Sequence, residues 1–163
     1  MKPTFEPQDP AFEARVRSSF ARQKIMKTIG ASLTKIAPGE IEIELPFREE
    51  LTQQHSFLHG GIVATLVDTA CGFAALTLMP VDSAVLTIEY KVNFVSPATG
   101  KRLIARGHVT KPGRTVTVCA GDVFALSDGK EKLVATMLAT MMTLRERADL
   151  QGWARVLKRV PRE

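Results

Sequence analysis

Residues 62–79 form a long run that is apolar on every side at helical spacing. Ile62, Val63, Leu66, Val67, Ala70, Phe73, Ala74, Leu76 and Leu78 recur at helical spacing and leave no polar stripe. A helix with no polar face has to be enclosed by the rest of its fold. Ahead of it, Phe12, Val16 and Phe20 repeat every fourth position among Arg15, Arg17, Arg22 and Lys24. That spacing predicts an amphipathic helix running to about Ile29 and stopped by Gly30. A short strand over 31–37 meets the turn pair Pro38-Gly39. Then Ile41, Ile43, Leu45 and Phe47 alternate with Glu40, Glu42 and Glu44, the pattern of a half-buried strand closing a hairpin.

Beyond the apolar run, Pro80-Val81-Asp82 is a break. A strand follows over 84–95, with Leu86, Ile88, Tyr90, Val92 and Phe94 on one face and Thr87, Glu89, Lys91 and Asn93 on the other. Ser96-Pro97-Ala98-Thr99-Gly100 turns the chain. Strands are predicted over 102–111, 115–126 and 132–144, separated by Pro112-Gly113 and Asp128-Gly129. Residues 145–159 read as a basic amphipathic helix anchored by Trp153, Val156 and Leu157. Strands segregated from helices indicate an α+β domain with one largely antiparallel sheet. Curling that sheet round the single apolar helix is the economical way to bury it. The expected organisation is one domain over 1–163, with a core at about 30–144, a helical extension over 1–29 and a basic helix over 145–163.

The chain has 163 residues, 45% hydrophobic and 24% charged, which suits a single globular domain with a sizeable core. Its formal charge of +5 comes from the ends, because the middle holds 10 basic against 11 acidic residues. Without a nucleic-acid motif or an aromatic stacking platform, that excess does not argue for nucleic acid. It suits a polyphosphate ligand near the surface better. The apolar run is nearly long enough to cross a bilayer, but Asp68 and three threonines within it favour an interior helix and no membrane partner. Pro3, Glu6 and Asp9 stand where a signal peptide would be apolar, so cytoplasmic residence is the expectation. Cys71 and Cys119 show no metal or redox spacing and read as buried small hydrophobes.

The chemistry centres on Asp68. A carboxylate in an apolar interior costs several kcal/mol unless it is paired, hydrogen-bonded or protonated. It is either a satisfied structural group or a working acid. Immediately before the helix stands Gln53-Gln54-His55-Ser56-Phe57-Leu58-His59-Gly60-Gly61. The first N–H groups of a helix lack intrahelical partners and sit at the positive end of its dipole, and glycines there admit a ligand to the backbone. His55 and His59 are four apart, but the Gly-Gly that follows and the lack of a clear third ligand argue against a metal.

These pieces carry a resemblance. Gln53 with Leu58-His59-Gly60-Gly61, Asp68 nine positions after His59, the strand from Thr87 to Phe94 with Ser96-Pro97-Ala98, and Gly113-Arg114-Thr115 together resemble the hotdog-fold acyl-CoA thioesterases, in particular their PaaI-like, phenylacetate-pathway branch. The resemblance spans roughly residues 30–144. It implies hydrolysis of an acyl-CoA to free acid and coenzyme A without a cofactor, by a homodimer or dimer of dimers whose sites lie across the subunit interface. It implies Asp68 as general base or nucleophile, Gly61 as oxyanion donor, and Thr87 as the hydroxyl that positions water. Gln53 stands where the family often has Asn, and His59 shapes the turn. Gly60, Leu58, Asn93, Lys111 and Arg114 are the expected substrate contacts, the last two for the coenzyme A phosphates. A non-catalytic acyl-CoA sensor of the same fold is the alternative reading.

Overall fold

The structure, a computed structural model, describes residues 4–146. The helix expected over 145–159, with Trp153, Val156 and Leu157, lies outside the described residues beyond Glu146. Helices α1 (Phe12–Arg22) and α2 (Lys24–Ile29) lead into strands β1 (Ser32–Ala37) and β2 (Glu40–Pro46). Helix α3 (Gly60–Leu76) follows, then β3 (Ala84–Phe94), β4 (Arg102–Lys111), β5 (Val116–Ser127) and β6 (Lys130–Leu144). The six strands form one antiparallel sheet in the order β1-β2-β4-β5-β6-β3. It curls round α3, the hotdog arrangement that the resemblance implies.

Two glycines explain how the helix seats so closely. Gly107 of β4 pairs with Gly121 of β5 across the middle of the sheet. A Cβ on Gly107 would come within 2.4 Å of the Ala70 backbone, and one on Gly121 within 2.6 Å of the Val67 side chain. Side chains at either position would hold α3 off the sheet. Val63, Leu66, Val67, Ala70, Cys71 and Ala74 are buried against it as the apolar run requires. Burial also pushes the Cys71 thiol well above its ordinary range, and that of Cys119 up to about 12, in keeping with inert core residues.

The N-terminal extension is bolted to the far end of α3. Val16 is fully buried and Phe20 packs against Phe73 with ring centroids 5.9 Å apart. Arg15 donates to the carbonyls of Leu76 and Met79, each at 2.8 Å, and to that of Pro80, while lying 3.3 Å from the Asp9 carboxylate. A guanidinium here satisfies the orphan carbonyls of the helix C-terminus and meets the negative end of its dipole. The sequence suggested one helix to Ile29. Instead, Gln23 takes an extended ψ of 99° and divides it into α1 and α2, while Gly30 ends α2 in the left-handed region at φ 81°.

Two further expectations change. The turn expected over 96–100 is a crossover: β3 pairs with β6 at the sheet edge, and residues 95–101 carry the chain back to β4 beside β2. The amide of Leu58 donates to Ala98 and that of Phe47 to Lys101, so this crossover passes over the start of α3. Strand β3 also does not keep one alternation. Its register slips between Thr87 and Glu89, leaving Ile88 as the extra residue of a bulge. Thr87 therefore lies opposite the fully buried Met141, on the same side as Tyr90, Val92 and Phe94, which oppose Ala139, Met137 and Ala135. Leu86, opposite Met142, falls on the outer side.

Candidate active site

The loop before α3 is built from its own hydrogen bonds. The Gln53 amide donates to Phe57 at 2.8 Å, the Gln53 side-chain oxygen accepts the His55 N–H, and Ser56 takes a left-handed φ of 64°. This folds residues 53–57 into a tight bend tied at its base by a Thr52–Leu58 bridge. Leu58 is buried in the core. His59 is the N-cap of α3: its Nδ1 accepts the Gly61 N–H at 2.9 Å, which places the ring proton on Nε2. Its carbonyl takes the N–H groups of Ile62 and Val63. The Phe94 ring lies over Gly60, where an added Cβ would sit 3.1 Å from Cζ. The tip of α3 and the far end of β3 are thus in contact.

Two turns further along α3, Asp68 meets Thr87. The Thr87 hydroxyl donates to Asp68 Oδ1 at 2.9 Å and lies 3.3 Å from the Met141 sulfur. Desolvation raises the Asp68 pKa above the ordinary carboxylate value, and the Thr87 bond, which favours the charged form, moderates the rise. The bulge at Ile88 lets Thr87 face the helix together with Tyr90 and Phe94. The pair stands at a cavity of about 440 Å³ between α3, α1 and the start of β3, with Gly72, Phe73 and Val85 among its walls.

The structure thus brings Asp68 and Thr87 together, and separately gathers Gln53, His59, Gly60 and Gly61 at the helix tip. Asp68 stands seven positions beyond Gly61 on the helix, a rise of about 10 Å. The remaining expected contacts lie elsewhere. Asn93 is exposed on the outer side of β3, opposite Thr136. Lys111 and Arg114 flank the β4–β5 turn, and Arg114 lines a second cleft of about 420 Å³ with Gln8, Thr143 and Arg145. Sequence reasoning missed Gln23, Gly72 and Ser83 as cavity residues. Gly72 carried a signal, because a glycine inside a helix costs about 1 kcal/mol relative to alanine and asks for a reason.

The chain has clear relatives among known proteins. Residues 55–132 match the thioesterase superfamily. A crystal structure of a thioesterase family protein from Silicibacter pomeroyi superposes with a TM-score of 0.81 at 51% identity, covering 82% of this chain and 98% of that one. This chain belongs to the thioesterase superfamily. A putative esterase of Halobacterium salinarum is 34% identical over 76% of this chain and 83% of its own length. Human acyl-coenzyme A thioesterase 13 is 32% identical over 61% of this chain and 71% of its own. The hotdog thioesterase resemblance therefore holds, and this thioesterase is a thioester hydrolase.

Proposed function

We propose that this thioesterase hydrolyses acyl-CoA thioesters with Asp68, at a site completed by a second copy of the chain. The observation that carries the reading is the half-buried carboxylate held by a hydroxyl at the edge of a cavity, in a chain similar to acyl-coenzyme A thioesterase 13. Ionised Asp68 attacks the thioester carbonyl or activates the water that does, and Thr87 orients the carboxylate or that water. Gly61 supplies the N–H for the developing oxyanion. Its present bond to His59 Nδ1 keeps it aimed and is exchanged for the substrate oxygen. Such a preorganised donor is worth about 2.7–4 kcal/mol in the transition state. Gln53 and His59 hold the tip rigid.

A helix tip about 10 Å away cannot serve the carboxylate on the same helix. Antiparallel pairing of the β3 edge with its own copy removes the difficulty. The Phe94 end of β3 touches Gly60, and the Thr87 end touches Asp68. Reversing the second strand lays the glycine tip of each subunit beside the carboxylate of the other. The same pairing covers Leu86, Ile88 and Tyr90, each about half exposed on the isolated chain. Lys111 and Arg114 offer the positive charge for the coenzyme A phosphates.

The test is a thiol-release assay across acyl-CoAs of graded length. Wild type releases coenzyme A, and Asp68→Asn loses at least about a hundredfold in kcat while the oligomer mass is unchanged. An Asn variant turning over near the wild-type rate removes Asp68 from the mechanism.

A further inference from the structure

The cavity beside Asp68 has a shape and a chemistry that the hydrolytic step does not use. One side is open at Gly72, one helical turn beyond Asp68, where an added Cβ would meet nothing within 4 Å. Apolar walls continue from there through Phe73, Leu76 and Val85. Two polar residues of the lining stand out. Ser83 is 3% exposed and its hydroxyl finds no hydrogen-bond partner among the described residues; the buried side-chain oxygen of Gln23 is in the same position. Both residues line the cavity. A buried polar atom without a partner costs about 1–3 kcal/mol, so these two atoms on the cavity lining, with the Arg15 Nε that also lacks a hydrogen bond, point to a ligand group that answers them.

Building on the acyl-CoA reading, we infer that this cavity holds the acyl chain and selects chains bearing a hydroxyl at their distal end. A hydroxyl both donates and accepts, matching the Gln23 oxygen and the Ser83 hydroxyl together. A carboxylate fits less well. Arg15 is the one cation among the described lining residues; its Nη groups are taken by the carbonyls of Leu76, Met79 and Pro80, and its charge is balanced by the Asp9 carboxylate 3.3 Å from Nε. Ser83 lies four residues before Thr87, so the polar end is at most about 14 Å from the reacting group. That reach sets a chain of medium length, with Gly72 as the gap through which it passes.

The experiment pairs octanoyl-CoA with 8-hydroxyoctanoyl-CoA in the full-length enzyme, with propionyl-CoA as the short reference. The hydroxylated chain is preferred about tenfold or more in kcat/KM. The preference collapses in a Gln23→Leu/Ser83→Ala double variant, whose folding is checked by thermal melting. Gly72→Leu lowers the ratio of octanoyl to propionyl turnover at least about tenfold, and Gly72→Ala lowers it less, since helix propensity favours either replacement. Equal rates on the two eight-carbon chains, or a preference that survives in the double variant, overturn the polar end. An unchanged chain-length ratio in Gly72→Leu overturns the cavity as the acyl site. These outcomes are ratios between substrates. They stand apart from the loss in Asp68→Asn, which tests the hydrolytic reading itself.

Discussion

The two edges of the sheet are built to opposite ends. Strand β1 is six residues long, is kinked by a register shift between Leu33 and Lys35, and packs against α1. Its side chains are spent on ions and hydroxyls, Lys35 on Glu40 at 2.7 Å and Thr34 on Glu42 at 3.1 Å. Short, twisted, charged and covered edges are how proteins avoid unwanted strand pairing. Strand β3 is eleven residues long, presents Leu86, Ile88 and Tyr90 to solvent, and pairs on one side only. The same chain that blunts one edge leaves the other long and apolar. The contrast supports the proposed pairing of the β3 edge with a second copy, and it is the edge that carries Thr87 and touches both ends of the proposed site.

Mixing two dead variants breaks or secures that comparison most decisively. Asp68→Asn and Gly61→Val should each be inactive alone, and an equilibrated equal mixture should recover about a quarter of wild-type activity. Half of the pairs are then mixed, and each mixed pair holds one intact site. No recovery, with exchange verified by mass, would place both groups in one subunit and make the β3 edge irrelevant to chemistry.

Removing the hydroxyl of the edge strand has a smaller effect with a defined sign. The Thr87 bond favours ionised Asp68, whose pKa burial already raises. In Thr87→Val desolvation acts unopposed, the pKa climbs further, and a smaller fraction of Asp68 is ionised at any acidic pH. The acidic limb of the kcat profile should move to higher pH than in wild type. A limb that stays in place, or moves to lower pH, separates Thr87 from the titrating group.

The weakest effect refines the register. Glu89 and Lys91 lie on the outer side of β3, symmetrically about Tyr90. A two-fold axis at Tyr90 puts Glu89 opposite the Lys91 of the partner subunit, a cross-strand pair of about 0.2–1 kcal/mol. Glu89→Lys should weaken association several-fold by sedimentation, and adding Lys91→Glu should restore it. If the double variant is no better than the single, the axis lies elsewhere along the strand.

Much of this architecture was legible in the sequence because its causes are local and periodic. The apolar run, the alternation around Ile41–Leu45 and the turns at Pro38-Gly39 and Asp128-Gly129 each state their element directly. Asp68 announced itself by being out of place. What was hidden depends on contacts distant in sequence. Gln23 has no composition that marks a break, and α1 and α2 separate there as Phe20 and Met26 both find the core. The sheet order was concealed because residues 95–101 look like any turn, although they lead from one edge to the interior. Gly107 and Gly121 read as weak strand residues until α3 is laid across them.

The extra residue at Ile88 has a consequence of its own. It acts as a frame shift in the pleat, so that Val85 and Thr87 share a side with Tyr90 and Phe94, although odd and even numbers should part them. Losing that one residue would leave every proposed catalytic side chain present in the gene and return the strand to a regular beat. The hydroxyl would then turn its back on the carboxylate, or the aromatic half of the strand would turn away from the helix tip. Length, at this position, is as much a part of the proposed site as chemistry.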